Sequence, residues 1–273
     1  VLLALAYWQM IIAEGAYLGA RVVAWTYDLV ASRYDAIKQF KPQNESWFVA
    51  APLLRELVEV ESPLVLDVAT GTGRLPLALL HERFRGQIVA LDLSRGMLRQ
   101  AWRKLAAYSD QVSLLWHDAS RLPFFDGTFD AVTCLESLEF MPHPREALSE
   151  MVRVLAPGGV LFLTNRVGYE ARLLPGRAIP RPEFEQVLAE QPLSDFRVRR
   201  WQVKYDQAFA RKTGERVVAA RQGIELASLL RCPACGGAVQ RGATSFSCRN
   251  CQHTYPIREG VVLLAGHDGR GTS

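Results

Sequence analysis

The sequence lacks the features that direct a protein into or across a membrane. Residues 1–13 carry no charge, but a transmembrane helix needs about 20 apolar residues. Extending the stretch past Glu14 would place a carboxylate in the hydrocarbon. No basic segment precedes the stretch and no clear small-residue cleavage site follows it, so no signal peptide is expected. Two interpretations stay open: a helix packed over the rest of the protein, or an anchor at a membrane surface.

Cysteine is scarce, and its distribution favours metal binding over a disulfide framework. Of the five cysteines, Cys134 stands alone and the other four form two C-x-x-C pairs near the C-terminus. Such pairs without a secretory signal favour a metal site in a reducing compartment. We therefore expect a cytoplasmic protein, with membrane association as the open alternative.

The chain also lacks the composition of a disordered or repetitive protein. Hydrophobic residues make up 49% and charged residues 22% of the sequence, which is typical of a globular protein. The net charge of +4 is unevenly distributed: residues 1–165 hold 15 basic and 18 acidic residues (−3), and residues 166–273 hold 17 and 10 (+7). The basic part indicates either an anionic partner, such as RNA or phospholipid, or a solvated arginine-rich surface.

The central part alternates short apolar strands with helices. Helices are predicted in the intervals between strands, and the strands themselves at residues 64–68, 88–91, 112–116, 129–135 and 160–164. This alternation predicts an α/β fold with a parallel sheet and helices on both faces. The predicted domains are an N-terminal helical cap, an α/β domain, a connecting helix, a cysteine module and a flexible tail, at residues 1–60, 61–212, 213–230, 231–266 and 267–273.

Polar residues cluster where the predicted strands end, which is where open α/β sheets bind ligands. A glycine-rich turn, D-V-A-T-G-T-G at residues 67–73, lets backbone approach a ligand closely. Asp92 could accept hydrogen bonds from two ribose hydroxyls, and Asp118 with Ala119 could read an adenine edge. A dinucleotide motif would need a small residue where this chain has Pro76. A purely structural glycine turn is the alternative.

The order of these motifs resembles the class I S-adenosylmethionine-dependent methyltransferases over residues 60–165, with a continuation to about residue 212. The motifs are D-x-A-x-G-x-G, L-D-L-S-R-G-M-L, D-A-S-R-L-P-F, F-D-A-V and L-A-P-G-G. The resemblance implies a doubly wound, Rossmann-like methyltransferase sheet with S-adenosylmethionine as cofactor. The implied cofactor-binding residues are Asp67, Ala69, Thr70, Gly71, Gly73, Asp92, Leu93, Met97, Asp118, Ala119 and Glu136.

The same resemblance assigns parts of the cofactor to particular residues. Gly71 and Gly73 would line its methionine part, Asp92 would hold the ribose, and Asp118 the adenine. Met97 would pack near the adenine ring. Ala69 stands where the widest family pattern has glycine.

One segment points to the acceptor of the methyl group. Residues 134–144, C-L-E-S-L-E-F-M-P-H-P, resemble the E-x-L-E-H-x-x-x-P stretch of the O-methyltransferases of ubiquinone biosynthesis. Glu136 and Glu139 are kept, but Phe140 replaces the histidine, which argues against metal-assisted catechol chemistry. A general base is needed only if the acceptor must lose a proton. Glu136 and His143 are the catalytic candidates. The alternative for Glu136 is that it only caps the loop by hydrogen bonding to backbone, and the alternative for His143 is that it is an ordinary exposed loop histidine.

Four other side chains are weaker candidates. His117 is expected to pack at the end of a strand, and Cys134 is expected to pack within an apolar strand. Tyr27 and Tyr34 resemble tyrosines in the N-terminal lid of related small-molecule methyltransferases. They could contact the donor or acceptor, or serve only in helix packing.

The cysteine module predicts a zinc ribbon. Cys232, Cys235, Cys248 and Cys251 can close a tetrahedral and hence structural zinc site; two disulfides are the alternative. The segments C-P-A-C-G-G-A-V and S-C-R-N-C-Q-H-T-Y-P-I-R-E-G-V-V-L-L resemble the zinc-ribbon family that includes the activator subunit of tRNA and translation-factor methyltransferases. This resemblance implies that the ribbon packs on the methyltransferase domain of its own chain.

The leading hypothesis is therefore a methyltransferase acting on a small or lipophilic acceptor by O-, C- or N-methylation. Peripheral membrane contact through residues 1–31 stays an open alternative to packing of this segment on the protein. An RNA, ribosome or translation-factor methyltransferase is the second hypothesis, although no N-P-P-Y-type motif follows the fourth strand. A non-catalytic cofactor-binding scaffold subunit is the third.

Overall fold

The computed structural model describes residues 2–216 and 223–264. Within these ranges the strands form one sheet. Their bounds are β1 (Leu64–Val68), β2 (Gln87–Asp92), β3 (Val112–Trp116), β4 (Phe129–Cys134), β5 (Leu155–Arg166), β6 (Leu193–Arg200), β7 (Tyr205–Lys212), β8 (Val239–Arg241), β9 (Ser245–Cys248), β10 (Thr254–Arg258) and β11 (Val261–Leu263).

The α-helices of the described residues lie before the sheet and between its strands. They are α1 (Leu2–Tyr7), α2 (Ala20–Val30), α3 (Tyr34–Lys38), α4 (Pro42–Glu45), α5 (Ala51–Glu56), α6 (Arg74–His81), α7 (Arg95–Leu105), α8 (Pro144–Val154), α9 (Tyr169–Arg172), α10 (Arg181–Ala189) and α11 (Leu226–Leu229). Two π-helical segments, Trp8–Ile12 and Ser46–Ala50, continue α1 and α4.

The sheet confirms the predicted doubly wound architecture. Its order is β6-β7-β5-β4-β1-β2-β3-β11-β10-β9-β8, and β3, β2, β1, β4 and β5 run parallel. From β1 the chain adds strands toward one edge of the sheet, as β2 and β3, and then toward the other edge, as β4 and β5. This switch point lies between β1 and β4, which is where such folds open a ligand crevice. Strand β1 is buried on both faces because Leu64 and Leu66 face one core cluster and Val65 faces the other.

Two predicted elements differ from the structure. Strand β5 begins at Leu155 rather than at residue 160, because Phe129 pairs with Leu155 before the register shifts and Ala131 pairs with Val160. The L-A-P-G-G segment is thus an irregular part of the strand, and Gly158 adopts the left-handed conformation within it (φ +68°). The connecting helix, predicted over residues 213–230, falls partly outside the described residues. In the described part it is confined to Leu226–Leu229.

The cysteine module extends the same sheet. Strand β11 pairs in parallel with β3, joining Val261 to Leu114 and Leu263 to Trp116. This pairing covers the edge of β3, whose backbone groups would otherwise be open to another chain. Gly260 lies against the Trp102 ring of α7, where a β-carbon would approach to 2.3 Å. The module therefore packs on the α/β domain of its own chain, and the two share one hydrophobic core.

Candidate cofactor and acceptor site

A cavity opens at the carboxyl ends of β1 to β4, where the sequence motifs converge. Its wall is mostly apolar and carries a few carboxylates, which is the composition typical of small-molecule sites. The inner face of α2 covers it with Ala20, Val23, Ala24 and Tyr27, which follow one another at helical spacing. Predicted site residues that line it are Ala69, Gly71, Asp92, Leu93, Met97, Asp118, Ala119 and Glu136.

Asp92 is a half-buried carboxylate held by backbone donors. Its Oδ2 accepts a hydrogen bond from the Gly71 N–H at 2.7 Å, and its Oδ1 accepts one from the Ser94 N–H at 2.8 Å. Burial raises the pKa of Asp92 to about 6, although these backbone bonds oppose the shift. The side chain is thus ionised at neutral pH and aimed at the cavity, as a ribose-binding carboxylate would be.

The glycine-rich turn contains strained as well as flexible positions. Ala69 adopts φ +56° and Gly71 φ +57°, a left-handed conformation that favours glycine. Asp67 lies below the turn and accepts a hydrogen bond from Thr133 Oγ1 at 2.7 Å. Burial raises the pKa of Asp67 to about 6. Gly73 begins α6 and packs against Ala101 and Leu105 rather than lining the cavity.

A smaller cavity adjoins the first at this turn. Asp67, Ala69, Thr70, Gly71 and Glu136 line it, so the turn and the loop after β4 face each other across it. This arrangement fits the methionine end of the cofactor. On the other side, Asp118 accepts a hydrogen bond from the Ser120 N–H and lies beside Ala119 in the first cavity, which fits the adenine end.

Glu136, the first catalytic candidate, is an ion-paired anion. Its carboxylate lies 2.6 Å from Arg74 Nη1 and 3.5 Å from Lys38 Nζ, and Arg74 also pairs with Glu45. Burial would raise the pKa of Glu136, but Arg74 and Lys38 outweigh it and hold that pKa below its usual value. A carboxylate stabilised in this way is a weak proton acceptor.

The other acidic and histidine candidates lie away from the cavity. Glu139 is buried behind it, where it accepts a hydrogen bond from the Tyr205 hydroxyl at 2.6 Å. His143 is 66% exposed and faces Glu146. His117 packs at the end of β3, and burial lowers its pKa. Cys134 is fully buried, and burial raises its pKa to about 12.

Two aspartates that sequence reasoning missed fasten the N-terminal helices over the cavity. Asp28 Oδ1 accepts hydrogen bonds from Ser94 Oγ and the Gly96 N–H, both at 2.6 Å. Asp35 accepts hydrogen bonds from Thr72 Oγ1 and Lys104 Nζ. The signal was present in the sequence, since each aspartate follows one of the two lid tyrosines in a repeated Y-D pair. Both tyrosines line the cavity.

The four paired cysteines form a compact cluster. Their sulfur atoms all lie within 4.8 Å of one another, with Cys232 and Cys251 3.6 Å apart and Cys235 and Cys248 3.4 Å apart. Zinc–sulfur bonds of about 2.3 Å give a tetrahedron with edges of about 3.8 Å. The cluster therefore fits one structural zinc ion.

Comparison with protein families agrees with both halves of this description. Residues 66–163 match the methyltransferase domain family, and residues 224–260 match the Trm112p-like protein family. The first match contains β1 to β5 and most of the cavity, and the second contains the four cysteines.

The curated relatives include enzymes named for quinone methylation. A demethylmenaquinone methyltransferase of Clavibacter sepedonicus is 38% identical over 143 residues, which cover 52% of this chain and 56% of the relative. One from Thermus thermophilus is 44% identical over 134 residues, covering 49% and 61%. A ubiquinone/menaquinone biosynthesis C-methyltransferase of Roseobacter denitrificans is 32% identical over 154 residues, covering 56% and 61%. The chain thus spans about 60% of the length of these relatives.

Solved structures share the fold at low identity. An S-adenosylmethionine-dependent methyltransferase from Methanococcus maripaludis has a TM-score of 0.56 at 20% identity, covering 70% of this chain and 95% of its own. A chain from the complex of the Haloferax volcanii Trm112 activator with a methyltransferase has a TM-score of 0.55 at 19% identity, covering 70% and 97%. The [4+2]-cyclase SpnF has a TM-score of 0.60 at 19% identity, covering 72% and 98%. This chain carries a class I S-adenosylmethionine-dependent methyltransferase domain followed by a Trm112p-like zinc ribbon.

Proposed function

We propose that the protein transfers a methyl group from S-adenosylmethionine to a small, lipophilic acceptor of the quinone type. The observation that carries the proposal is the composition of the first cavity. One part of its wall is formed by the carboxylates Asp92 and Asp118, and another by the apolar and aromatic side chains of Tyr27, Phe140 and Met141. A polar donor and a flat apolar acceptor could therefore meet in one enclosed space.

The donor would be held by the residues at the strand ends. Asp92 would bind the ribose hydroxyls, and Asp118 with Ala119 the adenine, with Met97 and Leu93 against the ring. The adjoining turn, from Asp67 to Gly71, would hold the methionine end. The bound donor supplies an activated methyl group, so the protein's part is to place the acceptor in line with it and exclude water.

Quinone-type acceptors are favoured by the names of the curated relatives. We infer methylation of a ring carbon or ring hydroxyl rather than metal-assisted catechol methylation. Phe140 puts an aromatic ring at the cavity wall where the related segment has a histidine. Of the two glutamates in the loop after β4, only Glu136 lines the cavity, and no imidazole stands beside it there.

Peripheral membrane contact would bring such an acceptor to the cavity. In the described residues no helix is long and apolar enough to cross a membrane. Several large apolar side chains of the N-terminal segment are nevertheless exposed, among them Leu3 (89%), Leu5, Tyr7, Ile11, Trp25 and Leu29. Exposed apolar side chains on helices at this density are typical of surfaces that insert into a lipid interface.

Flotation with anionic vesicles tests this contact. The double variant Leu5→Ser, Ile11→Ser should reduce the vesicle-bound fraction, because it removes exposed apolar surface without disturbing the core. Val203→Ser, at a still more exposed position in the β6–β7 turn, should bind as the unchanged protein does. Flotation of the double variant at the level of the unchanged protein would exclude the N-terminal segment as the contact surface.

The second candidate function, methylation of RNA or a translation factor, is favoured by the Trm112p-like segment and the basic C-terminal part. The arginines of β6 are, however, engaged within the chain: Arg197 pairs with Glu56, and Arg199 donates to Gln207. The Arg197–Glu56 ion pair leaves less positive charge on this strand for a phosphate backbone.

A methyl-transfer screen with labelled donor separates the candidates. A short-chain demethylmenaquinol should be labelled, and bulk RNA and anionic phospholipid should not. Labelling of RNA that weakens steeply with salt would favour the second candidate. Donor binding in calorimetry without transfer to any acceptor would favour a scaffold subunit. The Asp92→Ala variant controls for donor-dependent labelling.

A further inference from the structure

The proposed reaction requires a proton acceptor that the sequence motifs do not supply. A phenol or hydroquinone gives up a proton as it is methylated. Glu136 is neutralised by Arg74 and Lys38, and Asp92 and Asp118 belong to the donor part of the site. Glu139 and His143 do not line the cavity.

Tyr27 is placed differently from these side chains. It lines the cavity from α2, between the rings of Tyr34 and Phe140, whose centroids lie 5.8 and 6.1 Å from its own. Its hydroxyl donates a hydrogen bond of 2.5 Å to Glu14 Oε2. Glu14 is itself absent from the cavity lining, so the tyrosine separates the carboxylate from the acceptor space and connects the two.

The backbone of Glu14 has a conformation that side chains rarely adopt. Glu14 adopts φ +49°, a left-handed conformation that disfavours a side chain and that is concentrated at functional sites. The Thr26 hydroxyl donates a hydrogen bond to the Glu14 carbonyl at 3.2 Å, which fixes the residue against α2. The carboxylate is only half-buried, so a proton that reaches it can pass to solvent.

We propose that Tyr27 and Glu14 form a proton-accepting dyad for phenol- or hydroquinone-type acceptors; this inference rests on the proposed function. The acceptor hydroxyl gives its proton to the Tyr27 oxygen while the Tyr27 proton passes to the Glu14 carboxylate. The acceptor forms its bond to the methyl carbon as the methyl–sulfur bond breaks, and sulfur keeps the electron pair. For a ring-carbon acceptor, the ring hydrogen leaves afterwards as the hydroxyl is restored. One proton is released in either case.

The charges around the dyad are compatible with this role. Tyr34, Tyr205, Glu139 and Arg166 face it from the neighbouring elements, and the field of Arg166 acts on Glu14. The Arg166 guanidinium pairs with Glu139 at 3.5 Å and with Glu170 at 3.1 Å. The positive and negative charges near the dyad are therefore balanced by pairs within the chain.

The test uses the full chain, labelled donor and a short-chain demethylmenaquinol. Tyr27→Phe and Glu14→Gln should each lower kcat by about 100-fold or more, the usual contribution of a general base. The affinity for S-adenosylhomocysteine, measured by calorimetry, should stay within about threefold of the unchanged protein. Tyr17→Phe is the matched control, because it removes another lid hydroxyl, bonded to the Pro175 carbonyl, and should retain full activity.

Raising the pH separates a chemical from a structural defect. Without the dyad only an acceptor that has already ionised can react, so the Tyr27→Phe rate should rise about tenfold per pH unit below the acceptor's own pKa. A misfolded lid would not recover in this way. Unimpaired transfer by both variants would overturn the dyad alone. Absence of transfer by the unchanged protein to any phenol or hydroquinone would overturn the proposed function and the dyad together.

Discussion

At the scale of single residues, the part of the cavity that we propose binds the donor contains aspartates that are shielded from solvent. Asp67 is buried and Asp92 is half-buried, and loss of solvent raises the pKa of each to about 6. Their folded-state pKa values lie above those of an unfolded aspartate, so protonation at lower pH stabilises the fold rather than weakening it. A ribose hydroxyl, in contrast, needs the ionised carboxylate as its hydrogen-bond acceptor. Stability and donor binding should therefore respond to acid in opposite directions.

The pH dependence of donor affinity tests this difference. The affinity for S-adenosylhomocysteine should be constant at neutral pH and fall as the pH drops through about 6, by at most tenfold per unit, because Asp92 becomes protonated. Calorimetry between about pH 5 and about pH 8 measures it. The Asp92→Asn variant should bind more weakly at neutral pH and show a smaller acid effect. Asp110→Ala, at an exposed position, should follow the unchanged protein.

Ala69 offers a second test at this scale. Its φ of +56° strains an alanine by about 1–2 kcal/mol, although glycine costs more entropy on folding. Ala69→Gly should therefore raise the free energy of unfolding by about 0.5–1 kcal/mol. Gly71→Ala, at φ +57° with open space around it, should lower it by a similar amount. Urea denaturation measures both, and a loss of stability in Ala69→Gly would contradict the strain.

At the scale of elements, the joint between α2 and α7 decides how the cavity is closed. Ser94 caps α7 by accepting a hydrogen bond from the Met97 N–H at 3.0 Å, and its hydroxyl donates to Asp28. Asp28 thereby adds a negative charge at the first turn of α7, where the helix dipole favours it. A single aspartate thus both stabilises one helix and positions the other.

Gly96 makes this joint possible. A β-carbon there would lie 2.8 Å from Asp28 Oδ1 and 3.0 Å from its Cα. Gly96→Ala should therefore displace α2, lower stability by about 1–3 kcal/mol and weaken donor binding. Trypsin should cut faster at the exposed lid residues Arg21 and Arg33. Asp28→Ala, which removes the hydrogen bonds without a clash, should show the same faster cleavage, and unchanged cleavage in both variants would argue against the joint.

At the scale of the whole molecule, the ribbon and the α/β domain depend on each other. A module of this size buries too little core to fold alone, so zinc must supply part of its stability. The ribbon in turn covers β3 with β11. Loss of the metal should therefore expose a strand edge of the larger domain and promote aggregation.

Metal analysis and chelation test this dependence. The protein should contain about one zinc ion per chain, and a strong chelator should lower its Tm and increase light scattering on heating. Cys248→Ser should lose the metal. Cys134→Ala, a buried cysteine outside the cluster, should keep it, and a metal-free protein with an unchanged Tm would disprove the structural role.

Much of this architecture was predictable because its signals are local. Strands β1 to β4 agree with their predicted positions to within one residue at each end, since each is a short apolar run bounded by a turn. The cysteine cluster could likewise be predicted, from the spacing of the cysteines in two C-x-x-C pairs. Strand β5 was predicted too short because its first residues pair across a register shift, and strand pairing depends on a distant partner. The repeated Y-D pair marks the lid anchors Asp28 and Asp35, but it does not specify their partners, which lie far along the chain.

The sequence by itself determined the order of strands and helices, the motifs that we propose to bind the donor, and the spacing of the four clustered cysteines. Each of these depends on residue type and short-range spacing, which the chain carries directly. Only the tertiary structure decided which carboxylates remain free to act. Glu136 looked available in the sequence, but in the fold Arg74 and Lys38 neutralise it. Glu14 drew attention only as a charge interrupting an apolar segment, yet folding places it behind Tyr27. Charge pairing and burial arise between residues far apart along the chain, so no local pattern specifies them.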